Sequence, residues 1–295
     1  MHPDEGWPSW RAAWQQALYG PDGFYRRPEG PAGHFRTATH AAPRELAAAL
    51  TRLARRHGCS AVVDVGAGRG ELLTALAGSG LRRHGVDVVA RPPSLPAGIG
   101  WSAGVDAVAP GAWAGALVVG WELLDVVPCE VLELDADGAP RRVLVQPATG
   151  RERLGERVDD AWRARWWPGG EEGDRVEVGT PRDELWAGLL ARAQAGGARL
   201  GLAVDYAHTR ENRPPEGSLT GFRAGRAVPP RPDGSMDVTA HVAIDAVAAA
   251  TDAATGRTSS RTTQREALLA LGVTDAELLD PGSLGGFAWL ESSLV

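Results

Sequence analysis

The chain has no lysine: all 31 of its basic residues are arginine. Schiff-base and lysine-nucleophile chemistry are thereby excluded. It has only two cysteines in 295 residues, Cys59 and Cys129, and no CxxC pair. Neither a disulfide framework nor a thiolate zinc site is indicated. The seven histidines are scattered without an HxxxH pair, so no metal site is expected. No apolar run approaches the roughly 18 residues that a bilayer span needs. The opening residues MHPDEGWPSW lack the basic and apolar regions of a secretory signal. A membrane partner is therefore not expected, and a cytoplasmic location is. A basic field is missing too. Against 37 acidic side chains the 31 arginines leave a net charge of −6, which argues against a nucleic-acid partner.

What is present is an ordinary globular composition, 43% hydrophobic and 23% charged. Trp7, Trp10, Trp14 and Leu18 recur at helical spacing over residues 7–18. A Pro- and Gly-rich stretch over 20–43 is too long for a simple connector and reads as a functional lid or a mobile segment. A helix begins at Pro43, carries Leu46, Leu50, Leu53 and His57 on one face, and ends at Gly58. Short apolar runs at 59–65, 84–89, 115–120 and 200–204 read as strands, with a helix over 71–76 and another over 180–195. Asp137-Gly138 joins a hairpin of residues 129–135 and 141–145. Residues 147–180 show no clear period, and 207–237 read as a second loop. Helices are expected near 242–250, 263–271 and 274–279, and a last strand near 287–290. Strands alternating with helices predict an α/β fold with a mainly parallel sheet and helices on both faces.

The strongest motif joins the first strand to its helix: Val63-Asp64-Val65-Gly66-Ala67-Gly68-Arg69-Gly70-Glu71. Glycines let the backbone approach a ligand and adopt conformations other residues avoid. Their spacing is informative. The dinucleotide fingerprint needs glycine at 66, 68 and 71, and position 71 is Glu, whose charge would repel a pyrophosphate. A nicotinamide-dependent oxidoreductase is therefore disfavoured. The pattern instead resembles the first motif of Rossmann-like, class I S-adenosylmethionine methyltransferases. Asp87, ending the next strand, is placed to hold the two ribose hydroxyls with its two carboxylate oxygens. Asp64, Gly66, Gly68, Gly70 and Asp87 are thus the cofactor-binding candidates, and S-adenosyl-L-methionine is the cofactor expected.

Several ordered segments resemble the MidA-like methyltransferase family, which includes the arginine methyltransferase that serves mitochondrial complex I assembly. They are Leu18-Tyr19-Gly20-Pro21 with Gly23-Phe24-Tyr25, Gly33-His34-Phe35-Arg36-Thr37-Ala38, the glycine turn, Trp121-Glu122-Leu123-Leu124-Asp125-Val126-Val127-Pro128, Asp205-Tyr206, Gly217-Ser218-Leu219-Thr220-Gly221-Phe222, Asp237-Val238-Thr239-Ala240-His241-Val242, and Thr263-Gln264. The resemblance implies a Rossmann-like class I core with an N-terminal lid and an inserted substrate lobe. The expected division is a helical and lid segment over 1–58, core halves over 59–135 and 198–295, and the insertion over 136–197. The sequence departs from the family pattern at His34, Thr39, His40, Trp121 and Ala207.

Glu122 follows an apolar strand, at the sheet edge where α/β proteins bind ligands. It could pair with a guanidinium in bidentate fashion. A helix is expected there, placing Asp125 one turn on and facing the same side. Asp205 ends another core strand, and His241 could act as a base near neutral pH. Glu122, Asp125, Asp205 and His241 are the catalytic candidates. Arg69 could meet the cofactor carboxylate, and Trp121 could give the acceptor an apolar wall. The function expected is S-adenosylmethionine-dependent methylation of a protein arginine or another nitrogen or oxygen acceptor, in a partner protein or a small molecule. The alternative is a non-catalytic assembly protein that keeps the fold. The Trp-rich surfaces would serve lid packing or a homodimer contact.

Overall fold

A computed structural model of the chain describes residues 6–27 and 38–295. Residues 28–37 of the expected lid, His34 among them, lie outside the described residues. The chain runs through α1 (Trp10–Tyr19), α2 (Ala38–Ala41), α3 (Pro43–Arg56), β1 (Ala61–Val65), α4 (Glu71–Ala75), β2 (Arg82–Val86), β3 (Gly100–Ser102), α5 (Pro110–Trp113) and β4 (Ala116–Trp121). It continues through β5 (Glu130–Leu134), β6 (Pro140–Val145), β7 (Glu152–Arg157), α6 (Ala161–Trp166), β8 (Arg175–Val178), α7 (Thr180–Ala195), β9 (Leu200–Asp205) and β10 (Ala207–His208). It ends with β11 (Thr220–Arg223), β12 (Arg226–Val228), β13 (Asp237–Thr239), β14 (Val242–Ala243), α8 (Ile244–Thr255), β15 (Ser259–Thr263), α9 (Gln264–Ala270) and β16 (Ala288–Ser293). No helix among the described residues is long and apolar enough to cross a membrane.

Among the described residues, two compact units form. One takes 38–124, 184–207 and 247–295; the other takes 6–27, 125–183 and 208–246. The former holds a seven-stranded sheet in the order β15-β16-β9-β4-β1-β2-β3. The run from β9 to β3 is parallel, whereas β16 and β15 are antiparallel. Every residue of β1, β4 and β9 is buried, as expected of central strands covered on both faces. In α3 the residues Leu46, Leu50 and Leu53 fall on one face and join that core. Chain order reverses between β1 and β4: β1 leads outward to β2 and β3, and the chain then returns to the far side of β1. Ligands of open α/β sheets bind outside the carboxyl ends of strands at such a switch point. The two turns that leave it begin at Gly66 and Glu122.

The other unit is built on the antiparallel sheet β7-β6-β5-β8 and the smaller sheet β12-β11-β13. Trp10 and Trp14 of α1 are 0% exposed and pack with Val131, Val143, Val145 and Val238. The expected Asp137-Gly138 hairpin is present as β5 and β6. β7, α6 and β8 fill the region read as periodless, and β11 and β12 occupy the expected loop. Ala224 and Gly225 form the two-residue tip of the latter hairpin, both with positive φ (49° and 75°). Such turns favour Asn-Gly, and alanine pays for its Cβ there. Ala224→Asn is expected to raise unfolding stability by about 0.5–1 kcal/mol in chemical denaturation. An unchanged midpoint would show the tip to be relaxed.

The helix expected over 274–279 is absent. The segment is a turn whose start is held by Asp275 Oδ1 accepting from the Leu278 amide at 3.0 Å, and Pro281 follows too soon for a helix to extend.

Candidate active site

After β1 the backbone turns through Gly66, Gly68 and Gly70, with φ of 75°, 56° and 80°. The amides of Gly66 and Ala67 both donate to the Val86 carbonyl, at 2.9 and 3.2 Å, which ties the turn to the end of β2. A side chain at 66 would stand 2.9 Å from Leu123 Cδ1, and one at 70 would meet Leu95 Cδ1. Among the described residues, Glu71 Oε2 alone comes within 4 Å of a Cβ added at Gly68, so with respect to them the turn is open there.

Three carboxylates gather around this turn. Asp87 follows β2 directly; its Oδ2 accepts from the Gly68 amide at 2.8 Å and its Oδ1 from the Val89 amide at 3.1 Å. Burial raises its pKa, and the amides of Gly68 and Val89 work against that rise. Glu71, first residue of α4, accepts from the Arg69 amide at 3.0 Å. Asp64 is 4% exposed. Burial pushes it up to about 7, and the charges of Asp87 and Glu71 add to the rise.

The turn after β4 corrects the sequence expectation. Residues 122–128 form no helix, so Glu122 and Asp125 are not neighbours on a helical face. Glu122 instead has φ of 51°, a left-handed conformation that costs a residue with a Cβ roughly 1–2 kcal/mol. Its amide donates to the Val204 carbonyl at 2.8 Å. Its Oε1 accepts from the Ala38 amide at 3.1 Å, so it serves the start of α2 rather than the start of its own helix. Asp205 is 0% exposed. Its Oδ2 accepts from the Leu124 amide at 2.8 Å and its Oδ1 from the Tyr206 amide at 3.0 Å. Asp205 therefore fixes the turn that carries Glu122. Beside it Trp121 packs edge-on against Trp289, and Tyr206 against Phe287.

Asp125 and His241 belong to the other unit. Asp125 is buried, and its pKa is raised by that burial, with Arg182 pulling the other way. Burial lowers the pKa of His241. Sequence reading missed Arg182, which is 1% exposed. It donates to the carbonyls of His241 (2.8 Å), Asp125 (2.9 Å) and Val127 (3.2 Å). The only sequence signal was its place in the first turn of a Thr-Pro helix start. Glu177 is equally hidden; it accepts from the amides of Ser218 and Leu219 at 2.9 and 3.2 Å. The Tyr25 hydroxyl donates to Asp237 at 2.9 Å. In this unit the recognisable motifs thus hold one another together.

A family model for S-adenosyl-L-methionine-dependent methyltransferases matches residues 77–263. Among solved structures, the chain is similar to a Burkholderia thailandensis protein crystallised with S-adenosyl-homocysteine. Identity is 24%, with 98% of this chain and 88% of that one covered and a TM-score of 0.76. A native structure of a related protein from the same organism shares 23% identity, with 98% and 87% covered and a TM-score of 0.75. This likeness establishes the Rossmann-like methyltransferase fold. No curated protein matches the chain.

Proposed function

The chain belongs to the S-adenosyl-L-methionine-dependent methyltransferase family, and from that premise we propose that it methylates a nitrogen acceptor of guanidinium type, as in a protein arginine. The residues present fit the cofactor. With respect to the described residues the turn is open at Gly68, so a ligand can approach its backbone. Asp87 spends one lone pair of each oxygen on an amide and keeps others for a vicinal diol. Bound there, S-adenosyl-L-methionine supplies an electrophilic methyl group on a sulfonium. The chain's own part is positioning, which supplies much of the rate of such a displacement. Asp87 would hold the ribose. Glu122 would orient the planar acceptor through two charge-assisted hydrogen bonds and take up the proton that transfer releases.

The observation that carries this reading is the strained backbone of Glu122 at the carboxyl end of β4. Strain of that kind is kept where a side chain must point in one direction. The test is incubation with methyl-labelled cofactor and a cell lysate. Label recovered as methylarginine after protein hydrolysis supports the proposal. Label in small molecules redirects it to a metabolite, and no label at all would favour a non-catalytic cofactor-binding protein.

The raised pKa of Asp64 gives this site a pH dependence. Near pH 7 the carboxyl is half protonated, and a cationic ligand needs it ionised. With a pKa of about 7, the ionised fraction grows about tenfold from pH 6 to pH 8. The dissociation constant for S-adenosyl-L-methionine is therefore expected to fall by up to about tenfold over that interval in calorimetry. A flat profile would place Asp64 outside the ligand's field.

A further inference from the structure

Strand β7 is an edge. In the sheet order β7-β6-β5-β8 it pairs with β6 alone among the described residues. An open strand edge is a template for another chain, and charged side chains and bulges keep most chains away. β7 has both, but its charges follow an order: Glu152-Arg153-Leu154-Gly155-Glu156-Arg157. Laid antiparallel to itself about the Leu154–Gly155 bond, this strand sets Glu152 opposite Arg157, Arg153 opposite Glu156 and Leu154 opposite Gly155. Every charge then meets its opposite, an arrangement that stabilises cross-strand pairs. A slip of one residue either way sets Glu152 against Glu156 or Arg153 against Arg157. We propose that β7 is an interface for a second copy of this chain, added antiparallel across a two-fold axis at Leu154–Gly155.

The bulge makes this match possible. Directly opposed residues share a face of the sheet, and along a regular strand the faces alternate. Glu152 and Arg157 would then lie on opposite faces. In β7 they share one. β6 pairs Val145 with Glu152 and Val143 with Leu154, and then, past an extra residue in β7, Arg141 with Arg157. The contacts agree. Glu152 accepts from Trp10 Nε1 at 2.5 Å, on the face where Trp10 packs with Val143 and Val145. On the other face Arg153 pairs with Leu144 across β6, and Glu156 bonds Arg142, which stands opposite Leu132. Each charge pair therefore meets on its own face. The side chains of Glu156 and Arg157 are 51% and 56% exposed. A carboxylate and a guanidinium each have room for a second partner besides Arg142 and Asp137. Leu154, 38% exposed, is covered in this pairing, and the glycine opposite it puts no side chain between the two backbones. β15, an edge of the other sheet, differs: Arg261 is its one charge, and it offers a copy of itself no opposite one.

The test is sedimentation and light scattering of the whole chain. Wild type is expected at twice the mass of one chain, with a dissociation constant in the micromolar range that rises with salt. Glu156→Arg sets an arginine opposite Arg153 on both sides of the axis and should weaken association roughly tenfold or more. Arg153→Glu should do the same through Glu156. Mixed in equal amounts, the two variants restore both pairs, so the mixture should associate within about threefold of wild type. A merely damaged fold would not be rescued in this way. Should either variant lose its circular dichroism, Arg157→Glu, which faces Glu152 of the second copy, takes its place and should weaken association likewise. Amide exchange over 152–157 should also slow as the wild-type concentration is raised. A wild type still monomeric at about 100 μM, folded single variants that associate as wild type does, or a mixture that stays monomeric while both variants are folded would overturn the proposal.

Discussion

Asp87→Ala is expected to weaken S-adenosyl-L-methionine and S-adenosyl-homocysteine alike, by about a hundredfold or more in calorimetry. Two losses add. Hydrogen bonds to a charged partner contribute about 1.5–3 kcal/mol each, and each 1.4 kcal/mol is a factor of about ten in affinity. Removing the carboxylate also releases the Gly68 amide from its 2.8 Å bond, so the turn no longer presents one fixed shape. Gly68 is half-buried, and its freed amide can turn to water. The variant should therefore fold, with its thermal midpoint lowered by a few degrees at most. Asp87→Asn keeps the shape with one acceptor fewer and should fall between. A change below threefold for the alanine variant, in folded protein, would mean that the ribose is held elsewhere.

The central strands and the glycine turn were legible because burial on both faces demands continuous apolar runs, and these stand out from any surrounding. AVVDV, ALVVGW and LGLAVD are of that kind. Two of the strands missed are of the other kind. β7 reads ERLGER and β15 reads SSRTT, and both face solvent along most of their length. Their order comes from neighbouring strands, which a one-dimensional pattern does not display. The turn after β4 was misread for a related reason. Glu-Leu-Leu-Asp is a fair helix opening by propensity, but the Leu124 amide is claimed by Asp205, 81 positions away in the chain. Arg182 and Glu177 escaped notice because they bond mainly to backbone, and backbone partners leave no trace in residue types. Asp64 and Asp87 stand out as candidates in the sequence because a turn and a strand end are local features.

Glu122→Gly should separate stability from function. Glycine adopts φ of 51° freely, which recovers roughly 1–2 kcal/mol of backbone strain. The loss of the Ala38 amide's 3.1 Å bond to the carboxylate costs a similar amount, about 1.5–3 kcal/mol for a charged acceptor. The unfolding free energy is therefore expected to stay within about 1 kcal/mol of wild type in denaturant titration. Affinity for the cofactor should change less than threefold, since Glu122 follows β4 rather than the glycine turn. Incorporation of labelled methyl, followed in whichever lysate fraction wild type labels, should drop at least a hundredfold, the scale on which positioned acid–base groups act. Glu122→Gln decides what that drop means. The amide retains an oxygen for Ala38 and retains the strain, but it has lost the charge and the basicity. If transfer is lost in both variants, the carboxylate acts on the acceptor. If glutamine preserves more than a tenth of wild-type transfer, Glu122 serves to seat α2, and the left-handed turn exists for that purpose.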